Sequence, residues 1–292
     1  MTDVIALLRE PFVQDALKAA LIIGTLCAFL GVYVVLKRIV FVGAALAEIS
    51  SLGAAVAFLP IVFERLVPLL DARFPGHSEE IAPLILSLAA VLLGVWFFAR
   101  QSAERRIPRE SVIGFAYVAA AGLALLLLSK SASGDVHAMQ VLQGNILGVP
   151  PPEIPVLGGV AAAILGVQLA FLKEMVLVSF DPEIAATQGY RARRWELLFY
   201  LSLGLAIAAG IHVAGTLLVF AYLVLPAICG LMLARTMRGA FLGAIGAAWL
   251  ATLGGVLLSV SPLDLPTSPA IIGTATALTL IAVGIGRWRR SA

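Results

Sequence analysis

The sequence predicts an all-α, polytopic transmembrane helix bundle with eight or nine spans. Hydrophobic residues make up 61% of the 292 residues and charged residues only 13%, and the mean hydropathy is +1.03. Long runs free of Asp, Glu, Lys and Arg also succeed one another along almost the whole chain. A soluble domain of this length needs far more charge to cover its surface. The net charge of +3 does not point to nucleic acid, because the basic residues collect in short loops between apolar runs, which is a signal of membrane topology.

A helix needs roughly 20 apolar residues to cross the ~30 Å hydrocarbon layer. Ala19–Leu36, Ile81–Ala99, Ser111–Ser129, Ile154–Leu172, Gly239–Leu263 and Leu265–Gly286 are uncharged runs of about that length, and Ile39–Phe63 carries only Glu48. Leu197–Ala234 is long enough for two short spans with a break near Gly210. Asp3, Arg9, Glu10 and Asp15 interrupt the start of the chain, so the first run reads as a retained span rather than a secretory signal. With no linker or internal repeat in view, residues 1–292 read as a single transmembrane domain.

With nine spans the basic residues sort by side. Lys37, Arg38, Arg100, Arg105, Arg106, Arg109, Lys173, Arg191, Arg193, Arg194, Arg235, Arg238, Arg287, Arg289 and Arg290 fall on one side, fifteen of the twenty Lys and Arg. Cytoplasmic loops retain such residues. The expectation is a multi-pass protein of the cell inner (plasma) membrane, its N-terminus outside and its C-terminus cytoplasmic. Cys27 and Cys229 sit in separate apolar runs and read as small buried hydrophobes.

Few residues could carry chemistry, and no phosphate loop, HExxH or nucleophilic set is present. Glu48 lies about 13–15 Å into its span, near the bilayer midplane. An ionised carboxylate there costs at least ~2.5 kcal/mol, so it should face protein or a wet cavity. Ala44, Ser51 and Ala55 share its helix face. Glu48 is either a carboxylate on an ion path, with Ser51 beside it, or a hydrogen-bonded tie between helices. Asp135 and His137 offer oxygen and imidazole suited to zinc or manganese, but pairs at this spacing are common in ordinary loops. His77, with Glu79 and Glu80, reads the same way, as a weaker candidate. His212, at the expected outer break, is a pore-facing imidazole or an interfacial histidine bonded to exposed backbone. Asp264 lies among Pro262, Pro266 and Pro269, which predict an outer turn that Asp264 braces.

The longest loop on the basic side, Lys173–Arg194, contains a helix signature. Asp181 suits an N-cap, Pro182 the first helical position, Glu183 the positive helix end, and Gly189 a left-handed stop. Such a short rigid helix, with Ala185 at its middle, is what a permease needs to plug into a separate motor subunit.

Several stretches together resemble the permease subunits of metal-importing ABC transporters, the zinc/manganese/iron group known as the ABC-3 family. They are Gly31 through Gly43, Leu142 through Val149, Asp181 through Gly189, Val213 through Val219 leading to Leu225-Pro226-Ala227, and Asp264 through Pro269. They occur in the family's order and cover most of the chain. The resemblance implies a homodimeric or pseudo-dimeric permease, two ABC ATPase subunits that hydrolyse ATP on separate chains, and an extracytoplasmic metal-binding protein. It implies no cofactor bound by this chain, with a divalent zinc, manganese or iron ion as cargo, and makes Asp181–Gly189 the coupling helix. Family members often carry Gly-Asp and then histidine in the second span, where this chain has Gly43-Ala44 and Glu48. Carboxylate in place of imidazole shifts preference toward manganese or iron. Two further readings compete: a proton-coupled secondary transporter using Glu48, and a non-transporting membrane scaffold.

Overall fold

Bilayer hydrocarbon offers backbone N–H and C=O groups no partner, so a spanning chain must satisfy them within itself. The computed structural model describes residues 10–71, 78–100, 108–129, 146–261 and 265–291, and among them there is no strand. The spanning-length helices are α1 (Pro11–Leu36), α2 (Val40–Ala57), α4 (Ser78–Ala99), α5 (Arg109–Leu128), α6 (Glu153–Ala170), α9 (Ala192–Ala214), α10 (Thr216–Leu233), α11 (Met237–Val260) and α12 (Thr267–Ser291). All nine carry apolar segments long enough to cross a membrane. Between them, among the described residues, lie three short helices, α3 (Pro60–Asp71), α7 (Leu172–Phe180) and α8 (Pro182–Thr187), and a 3-10 turn at Ile146–Gly148.

The boundaries depart from the sequence expectation at four places. The second run stops at Ala57, and the chain restarts as α3 at Pro60. Proline has no N–H to continue a helix but suits a first turn. The first part of the expected Lys173–Arg194 loop is helix, because α7 buries Met175, Val178 and Ser179, an i, i+3, i+4 face. The break within Leu197–Ala234 falls at Gly215, not near Gly210. Gly215 adopts φ +79° and ψ 164°, a conformation open to glycine and closed to most residues. The proline-rich turn gives way to helix at Thr267, with Pro269 in the first turn of α12. The N–H groups of a first turn have no intrahelical acceptor, so proline costs little there.

Side-chain contacts fix the relative directions of the helices. Tyr33 near the end of α1 meets Phe199 at the start of α9, with ring centroids 5.9 Å apart, and Phe241 at the start of α11, 5.1 Å apart. Phe29 stacks on Phe241 at 4.6 Å. The start of α9 and the chain just beyond α10 therefore lie at the same end of the bundle, and the chain crosses twice between Ala192 and Leu233. Lys37 stands 5.6 Å from the Phe199 ring centre, and Gly286 in α12 lies against Met232 of α10. The cations of these helix ends, among them Lys37, Arg191, Arg194, Arg238 and Arg287, thus collect at one end of the bundle, called the basic end below.

The tightest crossing joins α1 to α10. A Cβ on Gly31 would fall on the Leu223 carbonyl oxygen, and one on Gly53 would lie 2.8 Å from Ser87 Cα, so α2 meets α4 nearly backbone to backbone. Small residues of this kind let helices approach where no hydrophobic effect drives them together. Polar ties are few. Tyr222 shares a hydrogen bond with Thr252 at 2.5 Å, Trp249 donates to Thr25 at 2.8 Å, and Cys229 donates to Thr279 at 3.3 Å. Both cysteines are buried and free.

The α1–α2 connection closes in three residues. Arg38 takes the left-handed conformation at φ 56°. The Arg38 N–H donates to Val35 at 3.1 Å and the Ile39 N–H to Val34 at 3.1 Å, which satisfies two of the last carbonyls of α1.

Gly31→Ala is expected to destabilise the purified chain by about 1–3 kcal/mol through overpacking, seen as an earlier thermal midpoint. Gly159→Ala, where an added Cβ meets nothing within 4 Å, should not lower it. Equal midpoints would show that the α1–α10 contact does not limit stability.

Candidate translocation path and docking helix

α2 is an 18-residue helix, about 27 Å long at 1.5 Å per residue, and Glu48 occupies its middle. Two of its faces are spoken for. Leu46 and Ile49 pack on Gly94 of α4, Gly53 reaches Leu86 and Ser87 of the same helix, and Gly43 touches Leu223 of α10. Glu48 points the other way, with Ala44, Ser51 and Ala55. Toward one end this face is closed, because Ala55 packs with Ala124 and Leu128 of α5. Ser51 is buried there and donates to the Ala47 carbonyl at 3.2 Å. Toward the other end Ala44 is buried as well, and Phe41, two turns from Glu48, is 65% exposed.

Glu48 itself is only partly buried. Its carboxylate makes no ion pair among the described residues, nor does any hydrogen bond tie it to another helix there. A carboxylate at mid-bilayer depth that its own chain covers only in part must be covered further by water or by another protein surface. Among the described residues no three of His, Cys, Asp and Glu come together as a metal-binding group. His212 is exposed in the last turn of α9, three residues before Gly215. Asp135, His137, Asp264 and His77 lie outside the described residues.

The candidate docking helix, α8, is built from the residues that announce its ends. Asp181 accepts from the Ile184 N–H through Oδ1 at 2.9 Å, and its carbonyl accepts from the Ala185 N–H at 3.1 Å. At the far end Gly189 adopts φ +86°, with the Gly189 N–H on Ala186 at 3.1 Å and the Tyr190 N–H on Ala185 at 3.0 Å. Asp181 and Gly189 therefore cap both ends of a helix of 6 residues. Isolated, a helix of that length has no stability of its own.

Ala185, at the middle of this helix, is fully buried and faces its own chain. The exposed apolar side chains are Ile184, 49% exposed, and Phe180 at the end of α7, 72% exposed. They stand four residues apart across the α7–α8 corner. Also unforeseen are Gln168, fully buried in α6 with neither amide atom bonded, and the buried, unpartnered Tyr33 hydroxyl. The stripe Leu157, Ala161, Ile164 and Gln168 is the signal that marks Gln168 as inward-facing.

Comparison with known proteins agrees with this architecture. The family model described as the ABC 3 transport family matches residues 9–286. A Haemophilus influenzae protein named "Probable iron transport system membrane protein" is 29% identical over 94% of this chain and 92% of its own length. The Halalkalibacterium halodurans manganese transport system membrane protein MntC is 24% identical over 94% of this chain and 88% of its own. The solved structure of PsaBC from Streptococcus pneumoniae in complex with Fab superposes with a TM-score of 0.79 at 22% identity, covering 96% of this chain and 94% of that one. At that identity the likeness establishes the fold.

Asp181→Ala should destabilise α8 by about 1 kcal/mol, the usual worth of an N-cap. Faster amide exchange at residues 184–187, with α9 unchanged and Asp181→Asn close to wild type, is the expected result.

Proposed function

We propose that this chain, which belongs to the ABC 3 transport family, is the permease subunit of an ATP-driven importer of divalent metal ions, with manganese or iron as cargo. It works as a pair of permease subunits, with ATPase subunits on one side of the membrane and an extracytoplasmic metal-binding protein on the other. The observation that carries this reading is the position of Glu48, a carboxylate halfway through a span that its own chain covers only in part. Covered by the same face of a second permease subunit, it becomes one of two carboxylates on a shared path. Oxygen donors suit manganese and ferrous iron better than zinc, which favours nitrogen and sulfur. The names of the two relatives support the same cargo.

The basic end faces the cytoplasm in this proposal, because Lys and Arg are retained there. The N-terminus then lies outside and the C-terminus inside. α8 stands on the cytoplasmic face, where Ile184 and Phe180 are the apolar knobs that an ATPase groove would accept. Asp135, His137, His212 and Asp264 belong to the opposite side, where the delivered ion enters.

The test is metal accumulation in cells expressing the chain with and without its ATPase, across manganese, iron and zinc. Accumulation of manganese or iron that requires the ATPase is expected. Accumulation driven by a proton gradient without the ATPase would replace the proposal with a secondary transporter. Glu48→Gln, which keeps shape and loses charge, should cut uptake tenfold or more, the effect of losing about 1.4 kcal/mol of ion stabilisation, with assembly intact. Wild-type uptake would remove Glu48 from the path. Ile184→Asp should reduce ATPase co-purification while leaving the permease folded.

A further inference from the structure

Beside α8, the start of α9 forms one wall of a cleft of about 440 Å³. Phe171, Tyr190, Trp195 and Leu198 line its apolar side, and Arg191 and Arg194 its rim. The rings are in contact: Trp195 lies 5.3 Å from Phe171 and 6.5 Å from Tyr190, centroid to centroid. Arg191 and Arg194 are exposed. Neither forms an ion pair among the described residues, and the nearby carboxylates of Glu174 and Glu196 are likewise outside ion-pair distance of them. Two cations thus stand over an aromatic floor with no anion supplied by the described residues.

The depth of the cleft identifies the occupant. The apolar segment of α9 begins at Arg193, so Arg191 and Arg194 stand at the membrane surface. Tyr and Trp rings concentrate at that level. Below them the surface continues as a lipid-facing strip in which Leu169 is 59%, Phe171 41% and Leu197 41% exposed. An occupant that satisfies the whole site carries negative charge at its top and hydrocarbon below. Guanidinium groups match phosphate oxygens in a two-pronged geometry, and basic pockets between spanning helices favour anionic headgroups. A soluble phosphate leaves the apolar strip unused, and so does an acidic protein surface approaching from the aqueous side.

We propose that Arg191 and Arg194, with Trp195 and Tyr190 beneath them, bind the phosphate of an anionic phospholipid whose acyl chain lies along Phe171 and Leu169. The site is separate from the Glu48 path and does not depend on the identity of the transported ion. A lipid held there braces the junction between α8 and α9.

The experiment is native mass spectrometry of the purified full-length chain titrated with phosphatidylglycerol or phosphatidylcholine. Wild type should retain phosphatidylglycerol about tenfold better than phosphatidylcholine, and Arg191→Gln/Arg194→Gln should abolish that preference. Arg235→Gln/Arg238→Gln, another cationic pair at the basic end, should preserve it. Inorganic phosphate at millimolar concentration should not displace the lipid. The unmodified protein alone can overturn the proposal, by showing no preference between the two lipids. Full retention in the 191/194 variant overturns it as well, and so does displacement by phosphate. Unchanged lipid binding in that variant, combined with loss of ATPase co-purification, would assign the cleft to protein docking instead.

Discussion

The approach of α1 to α10 at Gly31 sets the geometry of the bundle. Within a bilayer, burying apolar side chains gains little over leaving them in lipid, so helices associate through shape, close backbone approach and a few hydrogen bonds. A glycine whose Cβ would strike the Leu223 carbonyl supplies the closest such fit. From that crossing the α1 aromatics Phe29 and Tyr33 reach Phe241 of α11 and Phe199 of α9. The Trp249–Thr25 and Tyr222–Thr252 hydrogen bonds then tie α11 to α1 and α10. Few polar ties are needed because the backbones already lie so close.

The helix bearing Glu48 hangs on the side of this frame. α2 is clamped by α4 along one face, meets α10 at Gly43 and packs on α5 at Ala55, which leaves Glu48 only partly covered. This arrangement presents a carboxylate outward at mid-depth without burying it unpaired in the chain's own core. At the basic end, α8 is too short to hold its own shape and is held by its caps and by its neighbours. Ala185 anchors it inward, which keeps Ile184 on the exposed side.

What was legible in the sequence follows from how local the physics is. The ends of α8 were readable because N-caps and left-handed stops depend on single residues, and Asp181 and Gly189 do what their chemistry dictates. The number of spans was readable from apolar length, and the segregation of Lys and Arg matched the end at which their helices meet. The turn at Gly215 was not located, because Gly210 lies in the same apolar run and composition does not distinguish a glycine needed for helix packing from one needed for a turn. Gly210 is of the packing kind, lying against Val219 and Ile23. α7 was missed as helix because its charged first turn, Lys173 and Glu174, hides the Met175, Val178 and Ser179 face. Which side of α8 faces out is a tertiary property, and a helix of 6 residues is too short for periodicity to show it. Glu48 was identifiable by its cost, whereas the covering of its face could be seen only in three dimensions.

The left-handed Arg38 shows two demands meeting at one residue. Folding alone would favour glycine there, since a side chain in that conformation costs roughly 1–2 kcal/mol. With the basic end in the cytoplasm, as proposed, insertion asks for something else: a cation close after the first span. Lys37 stands beside Arg38 as a second cation in the same three-residue turn. In the proposed orientation, the residue that makes the finished hairpin slightly less stable also helps it enter the membrane the right way round, so this short turn carries a record of its biosynthesis as well as of its fold.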